Sequence, residues 1–190
     1  MDTRDTITSL LISTEREGIY QLLKYMDNSG FYIAPASTKY HGAVIGALAE
    51  HSLNVYHAAI DLANAWLDSD KVEELRNSII ICSLLHDLGK AGQYNKPLYV
   101  ENILKTGVSK AQPFKVNSEL MTLPHEVVSV IEASKYIELT EDEQRAIAWH
   151  NGLYGCFKYD IQGKETPLYM ILHFADMWAS RVMEKGAQDE

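Results

Sequence analysis

Residues 82–90 read CSLLHDLGK and place a histidine beside an aspartate at the end of a long apolar run. Upstream of this pair, apolar residues recur at steps of three and four, so His86 falls on the apolar stripe of a predicted helix. An unpaired polar group in an apolar setting costs several kcal/mol, so His86 and Asp87 need partners. A metal ion would satisfy both side chains at once.

The other periodic segments also show a helical period, and none shows an internal repeat. The apolar spacing and the start and stop residues predict six helices. They are a helix marked by Ile19–Met26 and closed by Gly30, one from Ala43 to about Leu62, one from about Lys71 to the His-Asp pair, one beginning at Pro124, one from the capping box Thr140–Glu143 to Trp149–His150, and one starting at Thr166–Pro167 and burying residues as far as Val182.

The stretch 91–123 is the least helical part of the chain. Leu98–Val100 and Phe114–Val116 are short runs of strand-forming residues, and the residues between them include Gly107. The sequence therefore predicts an all-α fold with a short β-hairpin insertion around residues 96–118.

Several polar residues lie where the helical pattern predicts burial or a helix end. His51 interrupts the apolar stripe of the second helix, as His86 does in the third. A single buried histidine is usually hydrogen-bonded within the core, and a helix-end histidine or aspartate is usually a cap. That explanation is harder to sustain for the whole set, which consists of His51, His86, Asp87, His125, His150 and Asp176.

The bulk composition sets limits on the class of protein. The chain has 190 residues, of which 46% are hydrophobic, so we expect a single domain spanning residues 1–190. Its two cysteines lie far apart and predict neither a disulfide framework nor a zinc ribbon, so we expect a reducing, cytoplasmic environment. The net charge of −9 argues against binding to extended duplex nucleic acid, and no apolar run is long enough for a membrane span.

The order of these residues resembles that of the HD superfamily of metal-dependent phosphohydrolases. The resemblance covers residues 41–184 and lies in the segments EHS (50–52), LLHDLGK (84–90) and HFAD (173–176). His125 and His150 resemble the two additional ligands of the dinuclear branch. The stretch 41–52, HGAVIGALAEHS, is similar to the HD domain of bacterial 3′-to-5′ exoribonucleases.

The resemblance implies a metal centre with a defined division of ligands. His51, His86, Asp87 and Asp176 would hold one ion, and Asp87 would bridge to a second ion held by His125 and His150. Imidazoles with carboxylates suit divalent Mn, Fe, Zn, Ni or Co better than Mg²⁺, and two such ions can activate a water for attack on a phosphoryl group. Asp87 would then be a catalytic residue as well as a ligand.

Two further residues are candidates for contact with the substrate phosphate. Lys90 follows Asp87 by one helical turn and is a candidate catalytic and substrate-binding cation, although a lysine at a helix end is equally explained by solvation of its ammonium group. By resemblance, His41 is a candidate substrate-binding residue. We interpret His57 and His173 as structural, with His173 a candidate support for Asp176.

The sequence also departs from the families that it resembles. The exoribonuclease branch usually has two histidines where this chain has His150-Asn151, and no segment resembles that branch's nucleic-acid-binding module. The Gly-Tyr-Pro signature of cyclic-dinucleotide phosphodiesterases is missing, because residues 151–155 read NGLYG. These departures favour a small phosphorylated substrate, a nucleotide or short oligonucleotide, over long RNA.

Two other functions remain open at this point, as does the oligomeric state. The same ligands would serve a di-iron oxygenase of the HD-like type. They would also serve a catalytically silent regulatory module whose metal stabilises the fold. The predicted function is nevertheless hydrolysis of a phosphoester, because a scaffold would fill buried stripe positions more favourably with Leu or Val.

Overall fold

The computed structural model describes residues 2–39, 42–120 and 123–184. Within these ranges the chain forms eight α-helices and four short strands, which confirms the predicted all-α class with a small β insertion. The helices are α1 Thr3–Ser13, α2 Ile19–Ser29, α3 Ala47–Trp66, α4 Ser69–Leu85, α5 His125–Ser134, α6 Glu141–Trp149, α7 Lys158–Ile161 and α8 Pro167–Trp178. The strands are β1 Tyr99–Glu101, β2 Ile103–Leu104, β3 Gly107–Val108 and β4 Phe114–Val116.

Helix α4 is the central element of the bundle. It packs against α3, α6 and α8, and every residue from Ile79 to Gly89 is buried. Burial on all sides explains why this segment reads as a nearly continuous apolar run. It also means that His86, which caps α4, lies deep in the core. In the described ranges no helix combines the length and the apolar character needed to cross a membrane.

The structure differs from the predicted helices at four places, of which the unpredicted four-residue helix α7 is the smallest. Helix α1 was not predicted, although its residues Ile7 and Leu11 are fully buried in the core. Helix α3 begins at Ala47 rather than Ala43, because Gly46 precedes it in the left-handed conformation at φ +84°. The final helix ends at Trp178 and continues as a π-helical turn over Ala179–Met183, so Val182 is exposed instead of buried.

The β insertion consists of two antiparallel ribbons. In the first, β1 pairs with β4 so that Tyr99 faces Val116 and Glu101 faces Phe114, close to the predicted strands. In the second, β2 pairs with β3 and turns at residues 105–106. The backbone N–H of Phe114 donates to the carbonyl of Thr38 over 3.5 Å, which ties the insertion to the loop between α2 and α3.

Candidate metal centre

The ends of several helices bring the six predicted ligands together. His51 lies on α3, His86 caps α4, His125 opens α5, His150 caps α6 and Asp176 lies on α8, with Asp87 following directly after His86. Gly89 allows the turn after Asp87 to approach α5 closely, because a Cβ at this position would lie 2.4 Å from the carbonyl oxygen of His125. The HDLG sequence thus brings Asp87 beside His125.

One half of the cluster is formed by His51, His86, Asp176 and an oxygen of Asp87. The Nε2 atom of His51 lies 3.1 Å from Asp176 Oδ1 and 3.6 Å from Asp87 Oδ2. The Nε2 atom of His86 lies 3.4 Å from the same Asp87 oxygen and 4.0 Å from Asp176 Oδ1. Four potential ligand atoms therefore face a common point.

The second half is formed around the other oxygen of Asp87. Oδ1 of this residue lies 3.1 Å from His125 Nε2 and 3.6 Å from His150 Nε2. The six residues make three overlapping groups, each with three ligand atoms within 4.8 Å of one another. Asp87 thus presents one carboxylate oxygen to each half, which is the arrangement expected of a bridging ligand.

The Nδ1 atoms of the four histidines all face oxygen atoms. Nδ1 of His86 donates to the Ser83 carbonyl over 2.9 Å, and Nδ1 of His150 donates to the Ile147 carbonyl over 2.7 Å. His51 and His125 instead face carboxylates, with Nδ1 at 2.9 Å from Glu184 Oε1 and at 3.1 Å from Glu126 Oε2 respectively. A carbonyl only accepts, so such partners fix the proton on Nδ1 and leave Nε2 free to ligate a metal.

Two features of the buried atoms call for a cation. Asp87 Oδ1 is buried and accepts no hydrogen bond from the described residues, although unpaired buried oxygens are rare in native proteins. Burial also lowers the pKa of His150, to about 3, so its ring is neutral and Nε2 carries a lone pair aimed into the cluster. The donor set of imidazole nitrogens and carboxylate oxygens therefore fits a divalent transition metal ion.

The electrostatics of the cluster are dominated by its two aspartates. Burial raises the pKa of Asp87, but Lys90 and the neighbouring histidines outweigh burial and hold it well below its ordinary value. Burial lowers the pKa of His51, but hydrogen bonds to Asp176 and Glu184 outweigh it and raise the pKa to about 10. The carboxylates are therefore ionised, and they attract positive charge to the centre.

Lys90 lies inside the cluster rather than in solvent. Its Nζ is 2.6 Å from Asp87 Oδ2, and its side chain is only 17% exposed. Burial lowers the pKa of Lys90, but the Asp87 carboxylate outweighs burial and raises it, so the ammonium group stays charged. This position disagrees with that of a solvated helix-end lysine, and the role of Lys90 toward a phosphate stays a prediction.

The remaining histidines have separate positions. His57 is exposed on α3. His173 donates from Nδ1 to the carbonyl of His150 over 2.7 Å, so it supports the backbone of that residue. Gly152 is required beside it, because its φ is +56° and a Cβ there would lie 2.4 Å from the His173 ring. The predicted substrate-binding residue His41 lies outside the described residues.

Sequence reasoning did not identify the side chains that orient the histidines. Glu184 was missed, because it lies beyond the end of α8, after the π-helical turn Ala179–Met183, and no α-helical spacing relates it to Asp176. Glu184 also accepts from Asn54 Nδ2 over 3.2 Å. Asn151 was also missed, and its Nδ2 lies 3.4 Å from His125 Nε2.

Together, the α-helical bundle and the buried cluster of His and Asp side chains define the class as an α-helical protein with a candidate metal centre. The HD domain family model matches residues 48–176, which is most of the chain. The chain belongs to the HD domain family. It matches no curated protein and no solved structure.

Proposed function

We propose that this protein is a metal-dependent phosphohydrolase that cleaves a phosphoester of a nucleotide or short oligonucleotide. The observation that carries this proposal is the convergence of four imidazole Nε2 atoms on the two oxygens of Asp87 and on Asp176. HD domain proteins are mostly metal-dependent hydrolases, which supports the same reaction class. The net charge of −9 favours a small substrate over extended nucleic acid.

The distances support a division of the ligands between two sites. His51, His86 and Asp176 would hold one ion with Asp87 Oδ2, while His125 and His150 would hold a second with Asp87 Oδ1. Mn, Fe, Zn, Ni or Co ions bound there would acidify a water and neutralise a phosphoryl group during in-line attack. No nucleophilic side chain is needed for this reaction.

The side chains of the protein would contribute orientation and charge. Asp176 and His125, with side chains 18% and 25% exposed, mark the open side of the cluster, whereas His86 and His150 are almost completely buried. Lys90 Nζ lies 2.6 Å from Asp87 Oδ2, so a rotation of the lysine side chain would bring it to the oxygen of a phosphate bound next to Asp87. Its charge would stabilise the negative charge that develops on the phosphoryl oxygens.

Hydrolysis of model esters tests the proposal. Protein reconstituted with Mn²⁺ or Fe²⁺ should hydrolyse bis(p-nitrophenyl) phosphate, p-nitrophenyl phosphate or nucleoside monophosphates. Asp87→Asn should reduce the rate at least a hundredfold, because it removes the charge shared by both proposed sites. Asp61→Asn, on an exposed position of α3, is the matched control and should keep wild-type activity.

The proposal fails if Asp87→Asn turns over these esters as fast as wild type. It also fails if metal raises the melting temperature while no phosphorylated compound is hydrolysed, a result that would favour the regulatory module. Oxygen consumption by the iron-loaded protein in place of hydrolysis would favour the oxygenase.

A further inference from the structure

A cleft of about 520 Å³ lies beside the cluster, between the loop that follows α2 and the ribbon of β1 and β4. Its volume is in the range of small-molecule sites in proteins, about 300–1,000 Å³. None of the six candidate metal ligands lines this cleft, so the proposed metal chemistry gives it no role. Its lining includes Ile33, Lys90, Tyr99, Glu101, Ile103 and Phe114.

Lys90 connects the cleft to the candidate metal centre. Its side chain lines the cleft while its Nζ lies 2.6 Å from Asp87 Oδ2. Tyr99 also lines the cleft, and the charges of Lys90 and Asp87 act on its phenol. A phosphate held beside Lys90 would therefore leave its organic group pointing toward the cleft.

The walls of the cleft are mainly apolar. Ile33, Ile45 and Ile103 are 66%, 78% and 66% exposed, a large apolar surface to leave in contact with water. The pairing of Glu101 with Phe114 places Tyr99 and Phe114 on one face of the ribbon, so two aromatic rings stand on the same wall. Aromatic and branched aliphatic side chains of this kind pack well against a flat ring.

The charges in the cleft limit what it accepts. Among its described lining residues only Lys90 and Glu101 are charged, so a single cation is available, at the end next to Asp87. A second phosphate further along would meet the Glu101 carboxylate and no compensating charge. The lining therefore suits one anionic group with a neutral remainder.

We propose that this cleft binds the organic group of the substrate, and that this group is a flat, neutral aromatic ring of nucleobase size joined through a sugar to the phosphate beside Lys90. The inference rests on the proposed function and makes Ile33 and Ile103 specificity-determining residues. It favours single nucleotides over oligonucleotides, whose further phosphates would lie in the apolar part of the cleft.

Matched ligands that differ only in the ring test this inference. Binding of adenosine 5′-monophosphate and of ribose 5-phosphate to the metal-free protein is measured by calorimetry, and kcat/KM is measured for both with the metal-loaded protein. The affinity and the kcat/KM for adenosine 5′-monophosphate should each be at least tenfold higher than those for ribose 5-phosphate. A double variant, Ile33→Gln with Ile103→Gln, should remove most of that difference by lowering the affinity and kcat/KM for the nucleotide.

Leu104→Gln is the matched control, because Leu104 is exposed on the other face of the same strand. All three substituted residues are exposed, so the variants should fold. Equal values for the two ligands, or a ring preference that survives the double variant, would overturn the inference. If neither compound is hydrolysed but the ring-dependent binding is present and lost in the double variant, the cleft is supported and the proposed hydrolysis alone has failed.

Discussion

The Nε2 atoms of His51 and His86 lie 3.3 Å from each other at the centre of the bundle. The Nδ1 atom of each ring faces an oxygen acceptor, Glu184 for His51 and the Ser83 carbonyl for His86. Two neutral rings held in this way would direct lone pairs at each other, so without a metal ion His51 carries a second proton, consistent with its raised pKa of about 10. A shared proton or a metal ion resolves the conflict, and the adjacent Asp87 and Asp176 carboxylates favour the higher charge of a metal.

This relationship predicts that His51→Ala lowers the metal content and removes metal-dependent stabilisation. The substitution deletes one nitrogen ligand and the contact to Asp176. The measurement is elemental analysis after reconstitution, together with the melting temperature with and without metal. His57→Ala, on the same helix but exposed, should behave as wild type. Equal metal content in the two variants would contradict the assignment of His51.

His125→Ala tests whether the centre holds two ions. Among the described residues His125 clusters with Asp87 Oδ1 and His150 and not with His51 or His86, so its loss should affect one proposed site only. We expect about two ions per chain in the wild-type protein and about one in the variant. A single ion in both proteins would reduce the centre to the four-ligand mononuclear form.

Glu184 should act on the metal through His51. Its Oε1 lies 2.9 Å from His51 Nδ1, so it holds the ring with Nε2 toward the cluster and raises the basicity of that nitrogen. Glu184→Ala should weaken metal binding about tenfold, within the usual range for such partners of a ligand histidine. Glu184→Gln keeps an acceptor and should recover part of the loss. Competition with a chromogenic chelator gives both affinities, and unchanged values would show that Glu184 is only a surface contact.

The sequence predicted which His and Asp side chains cluster better than it predicted what surrounds them. The stripe positions of His51 and His86 and the helix-end position of His150 follow from a local period, which one chain segment reveals on its own. Glu184, Asn151 and the apolar wall formed by Ile33 act across the fold, so no local pattern encodes their partners. Helix boundaries are limited in the same way. The apolar pattern continues upstream of Ala47, but the positive φ of Gly46 makes α3 begin at Ala47.

Lys90→Met should separate metal binding from catalysis. Lys90 Nζ occupies a position 2.6 Å from Asp87 Oδ2, so its removal frees that oxygen and should leave metal affinity unchanged or higher. The rate of ester hydrolysis should fall about a hundredfold, the usual effect of losing one stabilising donor. Lys135→Met is the matched control, because Lys135 makes the same contact at 2.6 Å with the buried Glu132. Loss of metal together with activity would instead make Lys90 a structural partner of Asp87.

Glu143 should determine how the fold responds to acid. It is the predicted capping-box residue of α6, accepting from the Thr140 N–H over 2.8 Å. The structure adds that it is fully buried and binds Arg16 through both oxygens, at 2.7 and 3.0 Å. Burial raises the pKa of Glu143, but its hydrogen bonds, above all that from Arg16, outweigh burial and lower it.

A carboxyl group whose pKa is lowered by folding stabilises the protein above its unfolded pKa of about 4.3 and loses that contribution as pH falls through the folded pKa. Glu143→Gln should therefore lower the free energy of unfolding by about 3 kcal/mol at pH 7, because it leaves Arg16 without its partner. The deficit relative to wild type should shrink as pH falls below about 4.3, since wild-type Glu143 is then increasingly protonated. Urea unfolding at several pH values measures both effects. The control is Glu141→Gln, in the exposed first turn of the same helix, which should change the free energy of unfolding by less than about 1 kcal/mol. If the deficit of Glu143→Gln is instead constant with pH, the charge of Glu143 is not the stabilising feature.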